Sequence, residues 1–373
     1  MAAYRQEQAL HFQSFGQPAN TAAHGLRHIL LNMGKKEDAT AKLQAQAYEA
    51  LSHYLEAHHK QIVEIEVLPS AIKPPDGIFM EDGLNLGIPK KILALAFVEA
   101  REIFFANADN EDSHLLALQA TKVMLLFEPE HLSAANFRKR KLVELRSRST
   151  PEAQITYRKA LKYEFCFLDS ILTSPLHRQS KSPTLWHHRL WLLKLFLPSR
   201  VENVPEDVRA GFWRVELTSV CKSGERHPKN YYAWQYARRL VEQIDGMEAT
   251  VDFAERVKEW CCKHPSDTSG WSCLLYLLPK AEPPSERATL VRGVLNYTRK
   301  LQLENESVWV FLRTIIAHES LQQERVELHS SLQEYSKELQ GTNEAAAQLE
   351  RVNDALAWIK KHGALHITLN GSS

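Results

Sequence analysis

The stretch His227-Pro228-Lys229-Asn230-Tyr231-Tyr232-Ala233-Trp234 decides how this chain is read. Its arrangement recurs at Lys181-Ser182-Pro183-Thr184-Leu185-Trp186-His187-His188-Arg189 and at His264-Pro265-Ser266-Asp267-Thr268-Ser269-Gly270-Trp271. In each copy a small polar residue, Ser182, Asn230 or Asp267, stands four positions before a tryptophan. These are the residue types whose side chains cap a helix N-terminus, and Pro228 and Pro265 stop the helix that precedes them. One helix ends and another begins. The tryptophan then falls one turn into the new helix, on a face shared with the residues three and four further on.

The tryptophans are separated by 48 residues (186 to 234), 37 (234 to 271) and 38 (271 to 309), periods that suit a two-helix repeat. Apolar residues supply the other wall of each hairpin. Leu116, Ala120, Val123 and Phe127 recur at helical spacing before Pro129, as do Tyr157, Leu161, Phe165, Leu168 and Leu172 before Pro175. The partner helices are predicted over 133–146, 182–197, 230–244 and 267–278. The segment 185–197 is apolar on more than one side, as required of a helix sandwiched between neighbouring repeats. The expected architecture is all-α: a right-handed α-α superhelix, or solenoid, of about five helical hairpins.

Outward from the repeats, helices are expected at 21–32 and 39–59. The alternation of Ile62-Val63-Glu64-Ile65-Glu66-Val67-Leu68 marks an extended segment, the only strand-like stretch, which either crosses a partner surface or links two helical parts. Residues 320–361 turn polar, with a sparse stripe of Leu321, Leu328, Leu332, Leu339 and Leu349, and predict a helical cap followed by ten frayed residues. The chain thus divides into 1–88 with N-terminal helices and an extended linker, 89–319 with the repeats, and 320–373 with the cap and tail.

Across 373 residues, 46 Lys+Arg against 45 Asp+Glu leave a net charge of +1, so nothing global calls for a nucleic-acid backbone or an anionic membrane. No long uncharged apolar run suggests stable membrane insertion, and a cytoplasmic protein is the expectation. The five cysteines (Cys166, Cys221, Cys261, Cys262 and Cys273) lack C-x-x-C spacing and read as reduced core thiols. His187 and His188 point about 100° apart on a helix and cannot share one ion, so no metal is expected on this chain.

The copies Lys229-Asn230-Tyr231-Tyr232-Ala233-Trp234 and Trp186-His187-His188-Arg189-Leu190-Trp191 resemble the repeat of protein prenyltransferase α subunits, Pro-Lys-Asn-Tyr-x-x-Trp-x-His-Arg-x-Trp. A weaker copy runs from Pro129 to Arg138 and a fifth surrounds Trp309, so that the resemblance covers roughly Glu111 to His318. Within the family, Ile65-Glu66-Val67-Leu68-Pro69 and the segment through Gly87 are most similar to its divergent α-subunit-repeat branch, which includes the α chain of the type III geranylgeranyltransferase.

The resemblance implies the α subunit of a heterodimeric protein prenyltransferase. Its β subunit partner would carry the catalytic zinc and the isoprenoid diphosphate, and a C-terminal cysteine of a protein substrate would receive the isoprenoid. By motif position Lys181, Tyr231 and Tyr232 would be catalytic, with Lys181, Lys229 and Asn230 binding diphosphate. Trp186, Trp234, Trp271 and Trp309 read as inter-helix packing, and Arg138 and Arg189 as groups that tie adjacent repeats together. Arg138-Lys139-Arg140-Lys141 reads as a solvated face.

Several positions depart from the pattern. Lys181 is followed by Ser182-Pro183 instead of Asn-Tyr, Tyr232 replaces histidine, Ala135 stands at a tryptophan position, and Ala237 and Leu274 stand where the repeat has arginine. Such losses also fit a non-catalytic α-solenoid adaptor that kept the scaffold and binds a protein or peptide.

Overall fold

The computed structural model describes residues 39–196, 206–242, 247–340 and 346–363. The expected helix over 21–32 and the ten-residue tail lie outside these. Helix α1 (39–57) leads into strands β1 (Glu64–Leu68), β2 (Met80–Asp82) and β3 (Asn85–Pro89), and the rest is helical. The helices are α2 (Lys90–Asn107), α3 (His114–Phe127), α4 (Leu132–Ser147), α5 (Pro151–Leu172), the short α6 (His177–Ser180) and α7 (Pro183–Phe196). They continue with α8 (Glu206–Arg226), α9 (Tyr231–Val241), α10 (Met247–Lys263), α11 (Thr268–Leu277), α12 (Pro284–Lys300), α13 (Glu306–Ala317), α14 (Arg325–Leu339) and α15 (Ala346–Gly363).

Five hairpins, α3/α4, α5/α7, α8/α9, α10/α11 and α12/α13, stack as an all-α solenoid. The second helices pack successively in one row, α4 on α7, α7 on α9, α9 on α11 and α11 on α13. The first helices α5, α8, α10 and α12 form the other row. The last segment holds two helices where a single capping helix is the simplest reading of its composition. Leu328, Leu332 and Leu339 of α14 are buried, and α15 closes the row against α13.

Each tryptophan at the repeated address is buried. Trp186, Trp271 and Trp309 donate their indole N–H to the carbonyl six residues earlier, at Ser180 (2.8 Å), Pro265 (2.9 Å) and Leu303 (2.8 Å). The ring therefore packs between helices while its one polar group closes the turn before its own helix. On α3 the expected stripe is buried at Ala120 and Val123 and partly at Phe127, whereas Leu116 is half exposed and its neighbour Ala117 is buried in its place.

Buried arginines join successive repeats. Arg138 of α4 makes a bidentate pair with Glu164 of α5, through Nε to Oε1 at 2.8 Å and through Nη2 to Oε2, and also donates to Thr121 Oγ1 at 2.9 Å. Arg189 of α7 repeats this one hairpin later, with Nε and Nη2 on Glu216 of α8 at 2.7 and 2.9 Å and Nη1 on Asp169 of α5 at 2.9 Å. Tyr236 of α9 donates its hydroxyl to the same Glu216. The carboxylate follows its arginine by 26 or 27 residues. At the arginine position of the next two copies stand Ala237 and Leu274, and no such ion cluster is built there among the described residues. Ala237 and Leu274 are fully buried instead.

The extended segment belongs to a small sheet in the order β1-β3-β2, with β1 parallel and β2 antiparallel to β3. On the side of β1 away from β3, Val63 N–H and Ile65 N–H donate to the hydroxyls of Ser170 and Ser174, both at 2.8 Å, so a helix flank covers this edge. At Gly87 an added Cβ would stand 2.6 Å from Leu68 Cδ2, so the Leu68 side chain lies over the place where another residue's side chain would stand.

His188 lies on α7 with no solvent exposure, no hydrogen bond at either ring nitrogen, and Nε2 3.5 Å from Glu164 Oε1. Burial pushes it down to about 4, against the pull of Glu164. Burial raises Glu164, but Arg138, His188 and Lys122 together carry it below its ordinary value.

Two predictions follow from this packing. Arg189→Met should cost about 3–5 kcal/mol in urea unfolding because Asp169 and Glu216 stay buried without their cation. An unchanged midpoint would contradict the clamp. For His188, the unfolded chain takes up a proton near 6.5 and the folded chain only near 4. The unfolded state thus holds more protons between those values. Stability from this group should be complete above about pH 6.5 and decline by about 3 kcal/mol as pH falls through 4. His188→Phe should flatten that part of the pH profile.

Candidate functional site

The N-termini of α4, α7, α9, α11 and α13 succeed one another along one edge of the stack. Four are capped by a side chain: His131 accepts from Ala134 N–H at 3.3 Å, Ser182 from Leu185 N–H at 3.1 Å, Asn230 from Ala233 N–H at 3.4 Å, and Asp267 from Ser269 and Gly270 N–H at 3.0 and 2.9 Å. Most of these turns also bond to the neighbouring repeat. Ser182 and Thr184 donate to Glu130, Asn230 Nδ2 donates to Ser180 O at 2.9 Å, Lys229 N–H donates to Asp267 Oδ2 at 2.6 Å, and Ser307 Oγ donates to Pro265 O at 2.5 Å. Capping and inter-repeat bonding are performed by the same short turns, so their spacing is set by the stacking of the hairpins.

The residues expected to act lie on this edge. Lys181, half-buried at the start of its turn, reaches across one repeat to donate from Nζ to Pro228 O at 3.3 Å. That carbonyl corresponds to the ones the other tryptophans take, and Trp234 Nε1 is accordingly buried without a hydrogen-bond partner. Lys229 follows with φ of 60°, a left-handed conformation costing a non-glycine residue roughly 1–2 kcal/mol. Its bond to Asp267 holds it there. Tyr231 and Tyr232, the first residues of α9, are exposed and lie edge to face at 5.5 Å. Lys181 therefore touches the backbone of the turn 228–232, which carries Lys229, Tyr231 and Tyr232.

Asn230 departs from expectation. It is fully buried, with its oxygen capping α9 and its amide on Ser180 O and, at 3.0 Å, Ser223 Oγ. The side chain is spent on capping α9 and on binding Ser180 and Ser223.

Sequence reasoning passed over the groups surrounding this turn. His177 and His227 stand with ring centroids 5.4 Å apart, and His227 Nε2 bonds Ser174 O at 3.1 Å. Burial lowers His227; its bond to the Ser174 carbonyl opposes this, and the fields of His177, Lys181 and Arg226 add to the lowering. The corner is thus cationic. Glu64 of β1 faces it, pairing with Arg226 at 2.7 Å and with Lys222 at 3.7 Å. Only the position of His227 directly before Pro228 in the motif could have flagged it.

Arg138 and Arg189 lie within the stack, as the reading of them as repeat ties expects, and the buried tryptophans with them. His187 is exposed whereas His188 is buried, so the pair faces two environments. Among the described residues no group of three or more His, Cys, Asp or Glu side chains could hold a metal ion, and no helix is long and apolar enough to cross a membrane.

Residues 185–291 match the protein family described as the ECM9 middle domain. The chain is 28% identical over 110 residues to the protein prenyltransferase alpha subunit repeat-containing protein 1-A of Xenopus laevis, covering 26% of each chain. It is 24% identical over 213 residues to the geranylgeranyl transferase type-2 subunit alpha of Saccharomyces cerevisiae, covering 54% of this chain and 59% of that one. Protein ECM9 of the same yeast is 28% identical over 121 residues, 32% of this chain and 29% of its own length. The matched region spans about a quarter of the first relative and somewhat over half of the second. The chain is a divergent relative of the proteins built from prenyltransferase α-subunit repeats.

Proposed function

We propose that this chain is the α subunit of a heterodimeric protein prenyltransferase, of geranylgeranyl type, working with a β subunit that carries the zinc and the isoprenoid diphosphate. The observation that carries the reading is the contact of Lys181 Nζ with the Pro228 carbonyl, on the turn that also carries Lys229, Tyr231 and Tyr232. When bound on the β chain, zinc would supply a thiolate at the C-terminal cysteine of the protein substrate. This chain's own part is electrostatic. Negative charge grows on the diphosphate as it leaves the isoprenoid carbon, and an ammonium and a phenol hydroxyl held beside it stabilise that state more than the ground state. Lys181 would exchange the Pro228 carbonyl for a diphosphate oxygen, while Asp267 and Asn230 keep the turn in place. The cytoplasm is the proposed location.

The relatives named as geranylgeranyl transferase alpha subunits support this reading. Tyr232 at the family's histidine position favours a second one, in which the capped edge docks a protein without catalysis. Co-expression with a prenyltransferase β subunit, followed by transfer of labelled geranylgeranyl diphosphate to a protein ending in cysteine, separates them. Lys181→Ala should leave the heterodimer intact and slow single-turnover transfer by about 10- to 100-fold. An unaltered rate would remove Lys181 from the site, and failure to recover any β subunit would favour the adaptor.

A further inference from the structure

At the opposite end of the helices from the capped edge, α3, α4 and α5 leave a cavity of about 310 Å³ that the C-terminal end of α1 helps to enclose. Leu115, Leu118, Leu142 and Leu145 form apolar walls, and Lys122 and Tyr163 line the same space. Lys122 is seven-eighths buried by its side chain and makes one hydrogen bond, to Glu56 Oε2 at 2.9 Å, leaving two of its N–H groups without a protein acceptor among the described residues. Tyr163 stacks edge-on to His59 at 4.5 Å, and its hydroxyl has no partner among the described residues. Burial and the nearby Arg138 guanidinium lower Lys122, with Glu56 and Glu164 opposing. An apolar cavity of this size with a few converging polar donors has the make-up of a small-ligand site.

We propose that this cavity binds a small amphipathic carboxylate, its head on the free N–H groups of Lys122 and the hydroxyl of Tyr163 and its hydrocarbon body against the leucines. The ligand's charge follows from the surroundings. Glu56 is paired with Lys122 and Glu164 with Arg138, and Lys141 on the same wall leaves the lining with one net positive charge, which matches a singly charged carboxylate better than a doubly charged phosphate. Nothing in this site takes part in the capped edge, so it is independent of the prenyltransferase reading.

Isothermal titration of the full chain with sodium octanoate and with 1-octanol tests the site. Octanoate should bind one per chain, about tenfold or more tighter than 1-octanol, because the charge-assisted hydrogen bonds are lost with the alcohol. Lys122→Gln should weaken octanoate by about tenfold and leave 1-octanol unchanged. Leu115 is 62% exposed at the mouth, so Leu115→Trp should fold normally and weaken both ligands. No saturable octanoate binding, equal affinity for the two ligands, or octanoate affinity unaltered in Lys122→Gln would overturn the proposal. If Lys122→Gln fails to fold, undiminished octanoate binding to Leu115→Trp overturns it.

Discussion

Two fully desolvated ion clusters, Arg138 with Glu164 and Arg189 with Glu216 and Asp169, fix how the first three hairpins stack. Apolar contact alone is tolerant of sliding, because one leucine resembles another. A guanidinium that must satisfy carboxylates on two different helices is not. The fork geometry of arginine sets both the distance and the rotation between repeats, and Tyr236 brings the second helix of the third hairpin into the second cluster. Beyond Trp234 the arginine positions hold buried Ala237 and Leu274, and the later repeats are joined by other polar contacts, among them Arg238 to Ser272 and the buried Arg287 to the carbonyls of Leu278 and Ser320.

Those turns are where stacking becomes a surface with chemistry. A capped helix start satisfies backbone N–H groups, and here the capping side chains also bind the adjacent repeat. The result is an edge whose backbone is held at several points, along which Lys181, Lys229, Tyr231 and Tyr232 are presented. The left-handed Lys229 is the position at which local preference gives way most plainly to this arrangement, since Asp267 holds its N–H from the following repeat. The three-stranded sheet contributes by placing Glu64 against Arg226 and Lys222, which offsets part of the positive charge next to the same turn.

Much of this was legible in the sequence where one residue type serves one physical purpose. Ser182, Asn230 and Asp267 were readable as caps because few side chains can reach back to a helix N–H, and the tryptophans as packing because their spacing repeats. Strands β2 and β3 were not readable. Met80-Glu81-Asp82 has no alternation, and Asn85–Pro89 includes Gly87 and ends in proline, so their pairing depends on contacts with β1 and not on local preference. The carboxylate partners of the arginines were hidden by their distance of 26 or 27 residues, which only the stacked geometry makes short. The burial of Asn230 is hidden for a related reason. A motif gives position along the chain but not burial, and burial decides whether an amide meets a ligand or the scaffold. Leu116 shows the same limit on α3, where the spacing places it on the buried face with Ala120 and Val123 but the end of the stripe stays half exposed.

The edge formed by the starts of α7, α9 and α11 is the face proposed to meet a second polypeptide. Hydrogen exchange of the backbone amides, followed with and without a prenyltransferase β subunit, addresses it directly. The account predicts added protection concentrated in the turns around residues 177–184, 227–232 and 264–269. Protection confined to the opposite helix ends or to α14 and α15, with those turns unaltered, would contradict it.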